Sequence, residues 1–180
     1  ALQSLTSNRH RARWDVAGVQ EPAPLFPQIR IPEGTPMLRS PTEGQDVAED
    51  YRHLGFTLGR HPLALLRSHL APLRIEPAET VLELKDGAAI RAAGLVITRQ
   101  RPSSAAGVTF VTIEDETGYL NLVVWERVAK HQRSVLLGAT LLGVSGKVQK
   151  EGEVVHIVAE RLFDYSALLG SLPTQSRDFH

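Results

Sequence analysis

The chain has 180 residues, 42% of them hydrophobic, and its 20 basic and 20 acidic side chains balance formally, which fits a globular protein with room for one full domain and flanking elements. It contains no cysteine, which excludes disulfide frameworks, thiol catalysis and thiolate zinc sites and fits a reducing, cytoplasmic setting. No run approaches the roughly 18 apolar residues of a membrane span and no signal-peptide pattern opens the sequence, so no membrane partner is expected.

Residues 1–17 read as a basic helix, with Arg9, Arg11 and Arg13 close together and with Leu5 and Trp14 suited to packing on a neighbour. The sequence starts at Ala1 as if inside that helix, so the expectation is a piece of a longer protein whose catalytic centre lies upstream. Residues 18–46 form a linker. Pro22, Pro24, Pro27, Pro32, Pro36 and Pro41 remove backbone donors and bias their neighbours to extended forms. Within it, Leu25 and Phe26 make an apolar pair between prolines, suited either to the domain's own surface or to a partner's pocket.

Residues 47–89 read as a helical junction. Val47, Tyr51, Leu54 and Leu58 share one helix face, Glu49 and Asp50 suit its first turn, and Gly59 suits its end in a left-handed conformation. Pro62 fits the first position of a second helix running to Leu70. His61, just before it, reads as a structural junction rather than a catalytic imidazole.

From Ile90 the period changes to that of strands. Ile90 to Gln100, Thr109 to Glu114, Tyr119 to Trp125, Leu141 to Gln149 and Val154 to Phe163 are strands, and a short helix over 126–137 carries Val128, Gln132 and Val135 on one side. Gly143 and Gly146 inside a strand mark a bulge or a sharp coil. The predicted fold is therefore mainly β with flanking helices: a five-stranded OB-fold Greek-key barrel over 90–163, preceded by a short helical region and followed by a tail over 164–180. Asp115-Glu116-Thr117-Gly118 is the turn between the second and third strands.

Alternation divides that strand pair. Val111, Ile113, Leu120, Leu122 and Val124 share one face and would fill the barrel. Phe110, Thr112, Tyr119, Asn121 and Trp125 share the other, the usual ligand face of this fold. Aromatic rings there give bases a stacking surface. Residues 91–150 carry a net charge of +4, which favours a phosphate-bearing partner. Candidate nucleic-acid-binding residues are thus Phe110, Tyr119, Asn121 and Trp125, with Arg99, Arg101 and Lys147 on neighbouring strands to follow a backbone. The alternative is a structural or protein-interaction barrel, with the aromatics packed at the barrel rim, on the helices at 47–70, or against a partner subunit.

No Gly-rich phosphate loop is present. The run Glu114-Asp115-Glu116 is the one tight carboxylate cluster, and it reads as solvated charge on a hairpin tip rather than as a Mg²⁺ site, which needs carboxylates from separate elements. No catalytic constellation and no metal site are expected.

Three stretches together carry a family resemblance: Leu54-Gly55-Phe56-Thr57-Leu58-Gly59-Arg60-His61-Pro62-Leu63, Ala93-Gly94-Leu95-Val96 and Ile113-Glu114-Asp115-Glu116-Thr117-Gly118. The chain resembles the C-terminal region of bacterial C-family DNA polymerases. Its closing Ser176-Arg177-Asp178-Phe179-His180 is similar to the terminus of the error-prone (ImuC-type) branch. The resemblance implies a DNA-directed DNA polymerase in the bacterial cytoplasm, acting in lesion bypass, with Mg²⁺ and the catalytic carboxylates in a palm outside this chain. It also implies single-stranded DNA, a sliding clamp and mutagenesis accessory subunits as partners, and residues 1–17 as the remnant of a helix–hairpin–helix region. Pro22-Ala23-Pro24-Leu25-Phe26 occupies the place of the family's clamp-binding peptide and matches its final Leu-Phe, with Pro22 where a Gln leads.

Overall fold

Thr42 and Gln45 form a capping box. The Gln45 N–H donates to Thr42 Oγ1 at 3.3 Å, and the Thr42 N–H donates to Gln45 Oε1 at 2.9 Å. This reciprocal cap starts a helix at Glu43, four residues before the apolar periodicity does. The computed structural model describes residues 9–17, 41–54, 57, 59–103 and 107–170. Most of the proline-rich linker, with Leu25 and Phe26, and the tail beyond Gly170 lie outside the described residues.

The helices before the barrel are α1 (Arg9–Ala17), α2 (Glu43–Leu54), α3 (Pro62–Leu70) and α4 (Ala78–Glu83), with a 3-10 turn at Ala71–Leu73. The sequence expectation for α2 is corrected at both ends. It stops at Leu54, and Gly59 does not adopt a positive φ. Gly59 instead donates its N–H to Thr57 Oγ1 at 3.0 Å.

α3 begins as expected, with Pro62 in its first turn and His61 as its cap: the Leu63 N–H donates to His61 Nδ1 at 3.2 Å. His61 Nε2 is buried with no hydrogen-bond partner among the described residues, and the Tyr51 ring stands edge-on to the imidazole at 6.4 Å. Burial holds the imidazole below its ordinary titration range, against the opposing pull of Glu114, Glu116 and Asp115. A neutral Nδ1 accepts the hydrogen bond from the Leu63 N–H; a protonated one cannot. A depressed folded-state pKa means that this cap's stability is present above about pH 6.5 and is lost as the pH falls below it. The melting temperature should therefore drop between pH 7.5 and pH 5.5 by more in the parent than in His61→Asn, whose amide caps at either pH. Parallel pH profiles would show that His61 does not titrate on unfolding.

The barrel strands are β1 (Ala89–Gln100), β2 (Thr109–Glu114), β3 (Tyr119–Val124), β4 (Leu141–Glu151) and β5 (Val154–Asp164). They close in the order β1-β2-β3-β5-β4, with β4 also paired to β1. Every pairing is antiparallel except β3 with β5, which is parallel over Asn121–Val123 and His156–Val158. The five-stranded barrel expected from the sequence is borne out. Val111, Ile113, Leu120, Leu122 and Val124 all lie in its interior.

The helix expected over 126–137 is two short ones, α5 (Glu126–His131) and α6 (Arg133–Gly138). The break falls at Gln132, whose side-chain amide pairs with the backbone of β5: Nε2 donates to the Leu162 carbonyl at 2.9 Å, and the Leu162 N–H donates to Oε1 at 3.0 Å. Val128, Val135 and Leu136 pack into the barrel core from this end.

A second core lies outside the barrel. Ala93, Leu95 and Leu141, on the outer faces of β1 and β4, pack with Val47, Leu63, Leu66, Leu70 and Ile75. The helical region therefore covers one side of the barrel and, among the described residues, leaves Phe110 and Tyr119, on the outer face of β2 and β3, and Trp125, just past β3, exposed. Among the described residues no helix is long and apolar enough to cross a membrane.

Candidate nucleic-acid interface

The register of β2 with β3 sets the open face. Phe110 lies opposite Val123, Thr112 opposite Asn121 and Glu114 opposite Tyr119. Period-two alternation sends these side chains outward while Val111 and Ile113 go inward. Phe110 is 38% exposed, Tyr119 57% and Trp125 55%. Trp125 is the residue before α5, and its carbonyl accepts the Ala129 N–H at 2.9 Å, yet its ring does not tuck beneath the helix. Thr112 Oγ1 donates to Asn121 Oδ1 at 3.0 Å between the rings. Thr112 and Asn121 stand between Phe110 and Tyr119, the half-buried Val123 lies opposite Phe110 and between Asn121 and Trp125, and each exposed ring offers a flat ligand a stacking surface.

The face extends to both sides. Thr98 and Gln100 of β1 lie opposite Thr112 and Phe110. His156 of β5 lies opposite Asn121, and Gln149 of β4 lies opposite His156. Neighbours across β5 were missed in the sequence, because they meet β3 through a parallel pairing between strands distant in the chain.

The three cations expected to follow a backbone take different positions. Arg101 is exposed just beyond β1. Lys147 sits in the same cross-strand row as Phe110, through Val123 and Val158, and faces Glu160 at 3.7 Å with both side chains more than half exposed. Arg99 is corrected. The register shift between Val96 and Thr98 changes the parity of β1, so that Arg99 lies opposite the interior residue Val111. Its Nε donates to the Leu136 carbonyl at 2.6 Å and its Nη2 donates to the Ala139 carbonyl. The guanidinium thus satisfies the last carbonyls of α6, and burial lowers its pKa.

The carboxylate cluster on the turn is also corrected. Asp115 is buried, not solvated. Its Oδ1 accepts from the Thr117 N–H at 2.8 Å, the Thr117 hydroxyl at 2.7 Å and the Gly118 N–H at 3.1 Å. Its Oδ2 accepts from the Ala78 N–H at 2.8 Å and from Arg67 Nη2 at 3.1 Å. Arg67 also meets Glu116 at 2.6 Å and 2.8 Å. Pro77, the residue before α4, offers no side-chain cap. The turn therefore caps α4 in its place and locks the helical region onto the β2–β3 hairpin. Among the described residues no cluster of three or more His, Asp or Glu side chains is placed to hold a metal ion.

A closed five-stranded barrel with its central helical plug between the third and fourth strands, and with aromatics on the open face of the second and third, defines an OB-fold. Residues 90–165 match the family described as an OB-fold nucleic acid binding domain, the tRNA anti-codon family. The whole chain is 52% identical over 180 residues to the Error-prone DNA polymerase of Alkalilimnicola ehrlichii, covering 100% of this chain and 18% of that protein. It is 50% identical over 179 residues to the Error-prone DNA polymerase of Methylococcus capsulatus, covering 99% of this chain and 17% of that protein. It is 51% identical over 180 residues to that of an Azoarcus species, covering 100% and 17%. The chain thus spans less than a fifth of the length of these curated relatives.

Proposed function

We propose that this chain is the C-terminal OB-fold segment of an error-prone DNA polymerase of the ImuC type, and that it holds single-stranded template during synthesis across damaged DNA in the bacterial cytoplasm. The observation that carries the reading is the open face: Phe110, Tyr119 and Trp125 stay exposed on the side of the barrel that the helices leave bare. Likeness along the whole chain to proteins named Error-prone DNA polymerase supports the choice of enzyme. In this proposal the polymerase's phosphoryl transfer, with its Mg²⁺, takes place on parts of the protein beyond this chain. This segment adds grip on the template. Leu25 and Phe26 would meet the sliding clamp, and accessory subunits would dock on the same protein.

Tyr119→Ala and Trp125→Ala should each weaken binding of a fluorescent oligo(dT) by about 1–3 kcal/mol, with little dependence on base sequence. Both rings are exposed, so the variants should melt like the parent. Undiminished oligonucleotide affinity in both would remove template holding from this face and leave it a protein-docking surface.

A further inference from the structure

At the end of the barrel plugged by α5 and α6 lies a cavity of about 240 Å³, whose lining includes Arg99, Arg101, Lys130, Arg133, Leu136 and Leu137. Four cationic side chains meet there, and no carboxylate is among the lining residues. Lys130 is held by Glu126 at 2.8 Å, and Arg99 is committed to helix carbonyls. Arg101 and Arg133 are exposed and form no ion pair among the described residues, although the Glu126 carboxylate that holds Lys130 also feels the charge of Arg101. Convergent like charges repel, and the arrangement is stabilised when an anion enters between them. Arginine forks suit the oxygens of a phosphate group.

The cavity adjoins the aromatic face. Thr109, in its wall, precedes Phe110 and pairs with Val124. Ala129, also in its wall, donates its N–H to the Trp125 carbonyl. A strand whose base lies on the Trp125 ring would therefore bring its next phosphate to the mouth of this cavity. Leu136 and Leu137 give the cavity an apolar side, suited to the sugar or base edge attached to that phosphate.

We propose that this cavity is a phosphate-binding site in which Arg101 and Arg133 take one phosphate of the strand leaving Trp125. The proposal rests on the template-holding reading for the origin of the phosphate, but not for the anion site itself. The chemistry is that of a phosphate group, either within a strand or free in solution.

Two measurements on the 180-residue chain separate these sources. In the first, oligo(dT) binding is followed over a range of salt concentrations. Arg133→Ala should lower affinity about threefold to tenfold and reduce the magnitude of the salt slope by about 0.7, the value for one phosphate on a single strand. Arg127→Ala, on α5 but outside the cavity, should do much less. If Trp125→Ala weakens binding while Arg133→Ala changes neither affinity nor slope, the site is overturned and the template reading stands. An equal loss in Arg127→Ala also overturns it, because a diffuse field would then account for the effect.

In the second, inorganic pyrophosphate is titrated while the arginine Nε–H resonances are followed. Arg101 and Arg133 should shift together and saturate, and the Arg133→Ala variant should lose the Arg101 response. If pyrophosphate saturates this pair but oligo(dT) does not bind, the anion site stands and the template reading falls. If neither ligand perturbs Arg101 or Arg133, the proposal is wrong.

Discussion

Asp115→Ala should destabilise the domain by about 3–5 kcal/mol, the range for breaking a buried ion pair by removing one partner. The Asp115 side chain is 2% exposed, and its two oxygens accept five hydrogen bonds. Truncation leaves the Ala78, Thr117 and Gly118 N–H groups without this acceptor, and the buried Ala78 group has no ready access to water in its place. It also removes one of the two carboxylates facing Arg67, leaving Glu116 to hold it. Asp115→Asn should cost less, because the remaining carbonyl oxygen can still serve the turn while the charge facing Arg67 is gone. Urea denaturation gives both values. A loss within about 1 kcal/mol for the Ala variant would show that the turn does not anchor the helical region. Arg67→Met, combined with Asp115→Asn in a double-mutant cycle, isolates the pair itself.

Gly146→Ala should cost about 3 kcal/mol, at the upper end of overpacking, although it adds a single methyl group. A Cβ at this position would stand 2.1 Å from the Val158 carbonyl oxygen and 3.2 Å from the Ala159 Cα. Both obstacles are backbone of the paired strand, so no side-chain rotation relieves them. Gly146 sits where the β4–β5 register shifts, between Ser145 opposite Arg161 and Gly146 opposite Ala159. The missing side chain lets the two strands come close as β4 coils round the barrel. A thermal melt of the variant should show a lower midpoint. A melt unchanged from the parent would mean that the strands separate there at no cost.

The sequence carried the β2–β3 hairpin clearly because two signals coincide: a turn ending in Gly118 and strict alternation on either side. Those signals were enough to sort Val111, Ile113 and Leu122 from Phe110, Tyr119 and Asn121. Parity failed one strand away. The irregularity between Val96 and Thr98 leaves no mark in composition, and it turned Arg99 from a presumed outer residue into a cap for α6. The start of α2 is legible, since Thr42 and Gln45 have the spacing of a capping box, although the apolar rhythm begins only at Val47. α4 is six residues long, too short for periodicity to reveal. Asp115 looked solvated because a hairpin tip is exposed by default. Only the three-dimensional packing of Arg67 and Ala78 over it makes it buried. Of the interface, the rings could be read from alternation within one hairpin. His156, and the cavity shared by Arg101 and Arg133, depend on elements that meet only on folding.

The short parallel pairing of β3 with β5 gives the closed barrel a seam. Asn121 to Val123 against His156 to Val158 is all that joins these two strands, while β4 and β5 are paired along most of their length. Parallel pairing is also the less stable kind per residue. When the domain breathes, it should part first along this line, and the amides there should exchange with solvent ahead of those between β4 and β5. Asn121 and His156 are direct neighbours across the seam and belong to the open face. A ligand lying over both would act as a stitch, slowing the opening and raising the resistance of the barrel to unfolding with the logarithm of its concentration above the dissociation constant.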